Sequence, residues 1–283
     1  VISLAVLLAG CADSSAPANA PPASAPASTA DKTEVRKINV VLNNNYWPLA
    51  FEKDGKPDGY AYAINQRIDE ALPQYEFTYT LASSEDVLIG LETGRYNMAI
   101  GGFYWTADRE KQFLFPEHNS GGGLLGFITK NEKATIKTLA EAASSGYSFT
   151  PVGANTGIAG IVTEYNKENP DKQLKVEFTE STSTAQDIQF VLDGRYDATI
   201  KNRHDYNNLV KNMGRNDVAE QLTINSFGLI KSYDIFAQGE EDLRDAYDKE
   251  LVKLREEGFL SELSIKWFGE DLFLLDDGDT SHR

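Results

Sequence analysis

Cysteine is almost absent from this 283-residue chain, which has one, Cys11. That excludes an internal disulfide framework and any zinc site built on cysteine pairs. Basic charge is also scarce. Lys and Arg number 27 against 43 Asp and Glu, a formal net charge of −16, so the basic field needed to face nucleic acid or an anionic membrane surface is missing. No apolar run reaches the roughly 20 residues that span a bilayer core. The histidines His118, His204 and His282 lack ligand spacing, and there is no His-Glu-x-x-His run, so no metal site is expected. No Gly-x-Ser-x-Gly elbow occurs, which removes a usual nucleophile. Gly121-Gly122-Gly123 is not followed by Lys-Ser/Thr, so it reads as a turn entering a strand rather than a phosphate loop. No catalytic constellation stands out, and neither an enzymatic activity nor a cofactor is expected. What is present, 41% apolar and 11% aromatic residues, is enough for a folded core of one large or two medium domains.

Residues 1–10 form an uncharged apolar run that ends at Cys11. The run has the length of a signal-peptide apolar region, and without Met or a basic start it is expected to be a truncated one. Leu8-Ala9-Gly10-Cys11 resembles the lipobox of bacterial lipoproteins, which implies cleavage before Cys11 and lipidation of its sulfur. Residues 12–30 contain only Ala, Pro, Ser, Thr, Asn and one Asp. Such a stretch buries too little to offset its ordering entropy, and residues 11–34 are expected to be a lipidated tether. The predicted location is extracytoplasmic, in the periplasm or at the cell surface, held to the membrane by lipid.

From about residue 35 the pattern alternates. Strands are predicted over Lys37–Leu42, Tyr75–Leu81, Leu124–Thr129, Ser148–Gly153 and Leu174–Thr179, and helices over Tyr60–Leu72, Ile158–Glu168 and Glu241–Glu257. This indicates an α/β architecture with largely parallel sheets. A near-repeat lies 100 residues apart: Gly94-Arg95-Tyr96-Asn97-Met98-Ala99-Ile100 and Gly194-Arg195-Tyr196-Asp197-Ala198-Thr199-Ile200. Each copy follows a helix with its own start signal, Ser83-Ser84-Glu85-Asp86 in the first and Ser183-Thr184-Ala185-Gln186, which fits a capping box, in the second. Each Gly can end its helix in a left-handed conformation before a strand begins. Two similarly built lobes are the expectation.

Open α/β sheets bind ligands at the carboxyl ends of their strands. After the first repeat stands Gly101-Gly102-Phe103-Tyr104-Trp105-Thr106-Ala107-Asp108-Arg109. Its glycines let backbone amides approach a ligand, Thr106 can cap a short helix, and Arg109 offers a fork suited to a carboxylate. After the second repeat stands the polar segment Lys201-Asn202-Arg203-His204-Asp205.

From about residue 36 to 269 the chain resembles the bacterial extracellular solute-binding proteins of family 3, the polar amino-acid receptors of ABC importers. The carriers are Tyr46 to Phe51 before Asp54 to Tyr60, Leu91 to Asn97, Gly101 to Arg109 with Phe115-Pro116, Val152-Gly153 to Gly157, the second Gly-Arg-Tyr-Asp, and Gly258 to Gly269. The resemblance implies a periplasmic-binding-protein-like fold: two α/β lobes joined by two crossover strands, with a ligand cleft between them. Lobe 1 would span 35–125 plus 231–270 and lobe 2 126–230, with an acidic tail over 271–283. It also implies a monomer partnered by an ABC permease. Arg109 would clamp the ligand's carboxylate, backbone groups at Gly101, Gly102 and Tyr104 would assist, and Tyr46 would lie against the ligand's side chain. Asn43, Ser84 and Glu85 complete the expected set on lobe 1, and Asn155, Thr156, Gly157 and Asn202 on lobe 2.

Two departures bear on the ligand. The family's usual aspartate, which pairs with the ligand's ammonium, falls here on Asn202, and its usual hydroxyl pair after Gly157 is Ile158-Ala159, for which Asn155 and Thr156 are the substitutes. The helix start after Gly157 still offers amides and a positive dipole end. The ligand is therefore either an amino acid whose amine is held by carbonyls, Glu85 or Asp205, or a carboxylate lacking a free amine. The rings of Tyr46, Trp47, Phe51, Tyr60, Phe103, Tyr104 and Trp105 would suit an aromatic or cationic side chain. Core packing is expected for Phe51, Phe103 and Trp105, and ligand contact for Tyr46 and Tyr104. The expected function is capture of a small carboxylate-bearing solute, an amino acid, for an ABC permease. The alternatives are a dehydratase similar to cyclohexadienyl dehydratases, with Glu85 as its acid, and a ligand sensor without transport.

Overall fold

The computed structural model describes residues 35–154, 156–180 and 183–274. The apolar run, Cys11 and its tether, Asn155, and the tail from residue 275 onward lie outside the described residues.

In chain order, β1 (Arg36–Asn43), β2 (Asn45–Tyr46), β3 (Ala50–Lys53) and β4 (Lys56–Asp58) precede α1 (Tyr60–Ala71), β5 (Tyr75–Ala82), α2 (Ser84–Glu92) and β6 (Met98–Tyr104). Then come α3 (Ala107–Gln112), β7 (Gly121–Lys130), α4 (Leu139–Ser144), β8 (Val152–Gly153), α5 (Gly157–Glu168), β9 (Phe178–Thr179), α6 (Thr184–Leu192) and β10 (Ala198–Asn202). The last elements are α7 (Arg203–Asn207), α8 (Asn216–Gln221), β11 (Leu222–Phe236), α9 (Glu241–Glu256) and α10 (Phe259–Phe268). None of the helices among the described residues is long and apolar enough to cross a membrane.

The six-stranded sheet has the order β10-β7-β11-β6-β1-β5. Only β1 with β5 and β1 with β6 run parallel, whereas β10–β7, β11–β6 and β11–β7 are antiparallel. The expected largely parallel sheet is thus corrected to a mixed one, because β7 and β11 return alongside each other as long antiparallel strands. β11 pairs with β7 from Leu222↔Lys130 to Ser232↔Gly121, then with β6 from Ser232↔Tyr104 to Phe236↔Met98. The predicted strands over Ser148–Gly153 and Leu174–Thr179 shrink to the two-residue parallel pair β8 and β9. The glycines at 121–123 lie in β7 and not in a turn. They are needed there for space: a Cβ on Gly121 would stand 2.9 Å from the Tyr60 ring, and one on Gly122 2.9 Å from the Ile230 carbonyl oxygen.

Local chemistry explains several helix starts. Ser83 Oγ accepts from Asp86 N, Thr106 Oγ1 from Arg109 N and Thr156 Oγ1 from Ala159 N, each satisfying a donor that the first turn leaves open. Ser183 makes no such bond, which corrects the capping-box expectation for α6. Gly94 and Gly194 adopt the expected left-handed conformation, with φ of 73° and 71°.

The core falls into two sets. One packs β1, β6 and the end of β11 against α1, α2, α9 and α10 through Ile38, Val40, Leu42, Ile64, Met98, Phe236, Leu251 and Leu260, with a second cluster around Val41, Val87 and Tyr233. The other packs β7, β10 and the start of β11 against α5, α6 and α8 through Leu125, Phe127, Val162, Ile200, Ile188 and Leu222. These are the two α/β lobes. In the second, Lys201 Nζ donates to Asp187 Oδ2 at 2.6 Å with both side chains under a tenth exposed. Removing one partner strands a desolvated charge, so Lys201→Met is expected to cost about 3 kcal/mol or more of unfolding free energy. Urea denaturation would read this, and adding Asp187→Leu is expected to restore most of the loss.

Candidate functional site

A cavity of about 340 Å³ opens beside the carboxyl ends of β1 and β6. Twelve residues line it: Asn43, Tyr46, Ser84, Val87, Leu88, Ile100, Gly101, Gly102, Phe103, Tyr104, Arg109 and Thr156. Its position follows from strand order, since β1 and β6 are neighbours and both end there. α2 contributes Ser84, Val87 and Leu88, whose spacing places them on one face. Asn43 Nδ2 donates to Ser84 Oγ, tying the end of β1 to the start of α2.

Gly101 and Gly102 form the cavity's floor, with φ of 133° and 82°. Such angles favour glycine, and a Cβ on Gly102 would also stand 3.0 Å from Leu49 Cδ1. Beneath them lies Asp234, wholly buried where the register of β11 against β6 shifts. Its Oδ1 accepts from Gly101 N at 3.1 Å, and its Oδ2 accepts from Tyr247 Oη at 2.5 Å and Asn65 Nδ2 at 3.2 Å. The Gly102 amide lies near enough to favour the charged carboxylate. Burial pushes the Asp234 carboxyl up to about 6, against the opposing pull of Tyr247 and the Gly101 amide. A wholly buried carboxylate thus holds the backbone of the cavity floor from beneath.

Arg109 sits in α3, positioned by the Thr106 cap one turn earlier, and its Nη1 donates to the Tyr104 carbonyl at 2.8 Å. That contact aims the guanidinium along the cavity wall. Burial lowers its pKa, and the nearby Tyr104 hydroxyl works in the other direction, but an arginine remains cationic at neutral pH. Of the lining side chains it alone carries a formal charge, which suits a carboxylate held bidentately.

The second lobe meets the cavity through Thr156 and, behind it, Gly157 and Asn202. The Tyr104 ring lies over Gly157, where a Cβ would approach its Cδ2 to 2.6 Å. The Tyr104 hydroxyl lies close to Tyr46 and to Asn202, and the Asn202 side chain is buried, with Oδ1 lacking a partner. Burial raises the pKa of both Tyr46 and Tyr104, so each is a neutral phenol. His204 stands edge-on to Tyr46 at 5.9 Å between ring centroids. Its Nε2 is 3.3 Å from Asp205 Oδ1 but makes no hydrogen bond, and burial lowers its pKa.

Of the expected residues, Asn43, Tyr46, Ser84, Gly101, Gly102, Tyr104, Arg109 and Thr156 come together around the cavity. Glu85 is exposed on α2 and stays off the cavity wall. Gly157 and Asn202 meet Tyr104 rather than the open volume. Val87, Leu88 and Ile100 were not expected, and Phe103, expected in the core, both packs against a core cluster and lines the cavity. The spacing of Ser84, Val87 and Leu88 was the available signal for an apolar wall. Phe51 and Trp105 pack as expected, Phe51 edge-on to Trp267 at 5.9 Å. Away from this site, Glu117, His118 and Asp248 bring ligand-type atoms together. There His118 already holds both Asp248 oxygens, through its amide at 2.9 Å and Nδ1 at 3.0 Å.

Comparison with known proteins agrees with this geometry. The chain is 27% identical to the L-cystine-binding protein TcyJ of Bacillus subtilis over 86% of its own length and 88% of that protein's. It is 24% identical to the L-cystine-binding protein TcyK of the same organism, covering 86% and 87%. A structure described with glutathione import through GshT and the cystine importer TcyBC of Streptococcus mutans superposes with a TM-score of 0.67 at 24% identity, covering 87% of this chain and 99% of that one. Residues 38–270 match the family described as bacterial extracellular solute-binding proteins, family 3, and with two α/β lobes and a cavity at the strand ends, the chain belongs to that family.

Proposed function

We propose that the protein captures a small carboxylate-bearing solute of the amino-acid type outside the cytoplasm and delivers it to an ABC permease, held to the membrane by lipid on Cys11. The observation that supports this most directly is the placement of the Arg109 guanidinium on the wall of a cavity floored by Gly101 and Gly102. A carboxylate there gains charge-assisted hydrogen bonds from a guanidinium that the Tyr104 carbonyl already holds in place. Relatives named as L-cystine-binding proteins point to the same ligand class. Lobe boundaries at 125/126 and 230/231 put the first lobe's Tyr46, Tyr104 and Arg109 opposite the second lobe's Thr156 and Asn202, so a ligand touching both sides favours the closed population.

The test is calorimetric titration of the full chain with the twenty amino acids, L-cystine and their N-acetyl derivatives. Saturable binding of at least one carboxylate supports the reading, and no binding across the whole panel overturns it.

A further inference from the structure

From the end of β6, Tyr104 reaches toward the second lobe: its ring covers Gly157, and its hydroxyl lies close to Tyr46 and Asn202. A Cβ on Gly123 would come within 3.2 Å of that hydroxyl and would also collide with Asn202 Oδ1, so phenol and amide share one small space above β7. Asn202 is the position at which the sequence lacks the expected carboxylate.

Charge points the same way. The lining includes the Arg109 guanidinium and no carboxylate. Glu85 is exposed on the far side of Ser84's turn. Asp205 is close enough to act electrostatically on Tyr46 and Tyr104, yet it is not part of the cavity wall and lies beside His204 instead. An ammonium on the carbon next to a carboxylate held by Arg109 would lose its water and find a cation and neutral hydroxyls. Burying a charge without a counter-charge is costly. An acylated nitrogen carries no charge, and its N–H and carbonyl can be satisfied by hydroxyls and amides. The rest of the wall, Val87, Leu88, Ile100 and Phe103, is apolar.

Resting on the carboxylate reading above, we propose that this pocket selects a carboxylate whose α-carbon bears no cationic amine, as in an N-acyl amino acid or the C-terminal residue of a short peptide, over the free amino acid. Tyr104 sets this preference by occupying the amine's place.

The experiment compares L-leucine, N-acetyl-L-leucine and 4-methylpentanoate by calorimetry on the full chain, with Tyr104→Ser and Tyr104→Phe alongside. N-acetyl-L-leucine is expected to bind at least tenfold tighter than L-leucine. 4-Methylpentanoate reports whether removing the nitrogen serves as well as acylating it, and it too is expected to bind tighter than L-leucine. Tyr104→Ser opens the amine's place toward Asn202 and Asp205 and is expected to shrink or invert the ratio. Tyr104→Phe keeps the ring and is expected to retain the preference, which gives a readout even if Tyr104→Ser does not fold. Tighter binding of free L-leucine to the unsubstituted protein overturns the proposal while leaving the carboxylate reading intact. A preference unchanged in Tyr104→Ser overturns the role of Tyr104, and no carboxylate binding across the wider panel overturns both readings.

Discussion

Replacing Arg109 with alanine is expected to weaken binding of the pocket's carboxylate ligand by roughly 100-fold or more, about 3 kcal/mol. The loss is large because the guanidinium is the charged lining side chain and stands in a mostly desolvated wall, where charge-assisted bonds are least screened. Arg109→Lys keeps the charge but not the fork, so an intermediate loss of about tenfold is expected. The ligand-free protein should change little in melting temperature, since α3 keeps its Thr106 cap when the Arg109 side chain gives up its bond to the Tyr104 carbonyl. Calorimetry gives the affinities and thermal melts give the control. An unchanged affinity in Arg109→Ala would place the carboxylate elsewhere.

Asp234 carries the second large effect, on stability and its pH dependence. Removing the carboxylate with Asp234→Ala leaves the Gly101 amide and the Tyr247 hydroxyl without their acceptor and takes one acceptor from the Asn65 amide. A destabilisation of about 3 kcal/mol at neutral pH is expected. Ligand affinity should fall too, because Gly101 and Gly102 form the cavity floor. Asp234→Asn should cost less than Asp234→Ala, since the new side chain keeps an oxygen for the Gly101 amide, and its own amide can donate to Tyr247 Oη. The pH dependence follows from burial, which raises this carboxyl from 3.8 to about 6 in the folded protein. Between about pH 4 and 6 the folded state therefore binds a proton that the unfolded state has released. The stability contributed by this group is fully present below pH 4 and is lost as pH rises through 6, by up to ~3 kcal/mol. The stability of the unsubstituted protein minus that of Asp234→Asn should thus fall across this window and level off above it. Urea titrations at pH 4, 5, 6 and 7 measure the difference, and parallel curves would rule the assignment out.

Much of this architecture can be read in the sequence. Gly94 and Gly194 announce their helix-to-strand turns because a left-handed residue followed by β-branched and apolar positions has few other solutions. Arg109 and Thr106 were legible because a cap and a charged fork act within one turn of chain. Strand direction was not, because a period of two looks the same whichever way β7 and β11 run. The short β8 and β9 were overextended for a related reason: an apolar run does not say how many residues find a ladder partner at a sheet's edge. Neither Asp234 nor the reach of Tyr104 to Asn202 has a local signature. Each depends on contacts between residues about 100 or more apart, set by packing and not by pattern. Nothing in the sequence sets Val87 and Leu88 apart as pocket residues, because a helix face toward a pocket has the same periodicity as one toward a core.

β11 supplies Leu222 to the core of one lobe and Ile235 and Phe236 to the core of the other, and β7 lies beside it for most of that length. The two lobes therefore do not divide the chain into separable folding units. Melting either one would strip ladder partners and packed side chains from strands the other lobe also uses, so thermal or chemical unfolding should proceed in a single cooperative step even though each lobe has its own core.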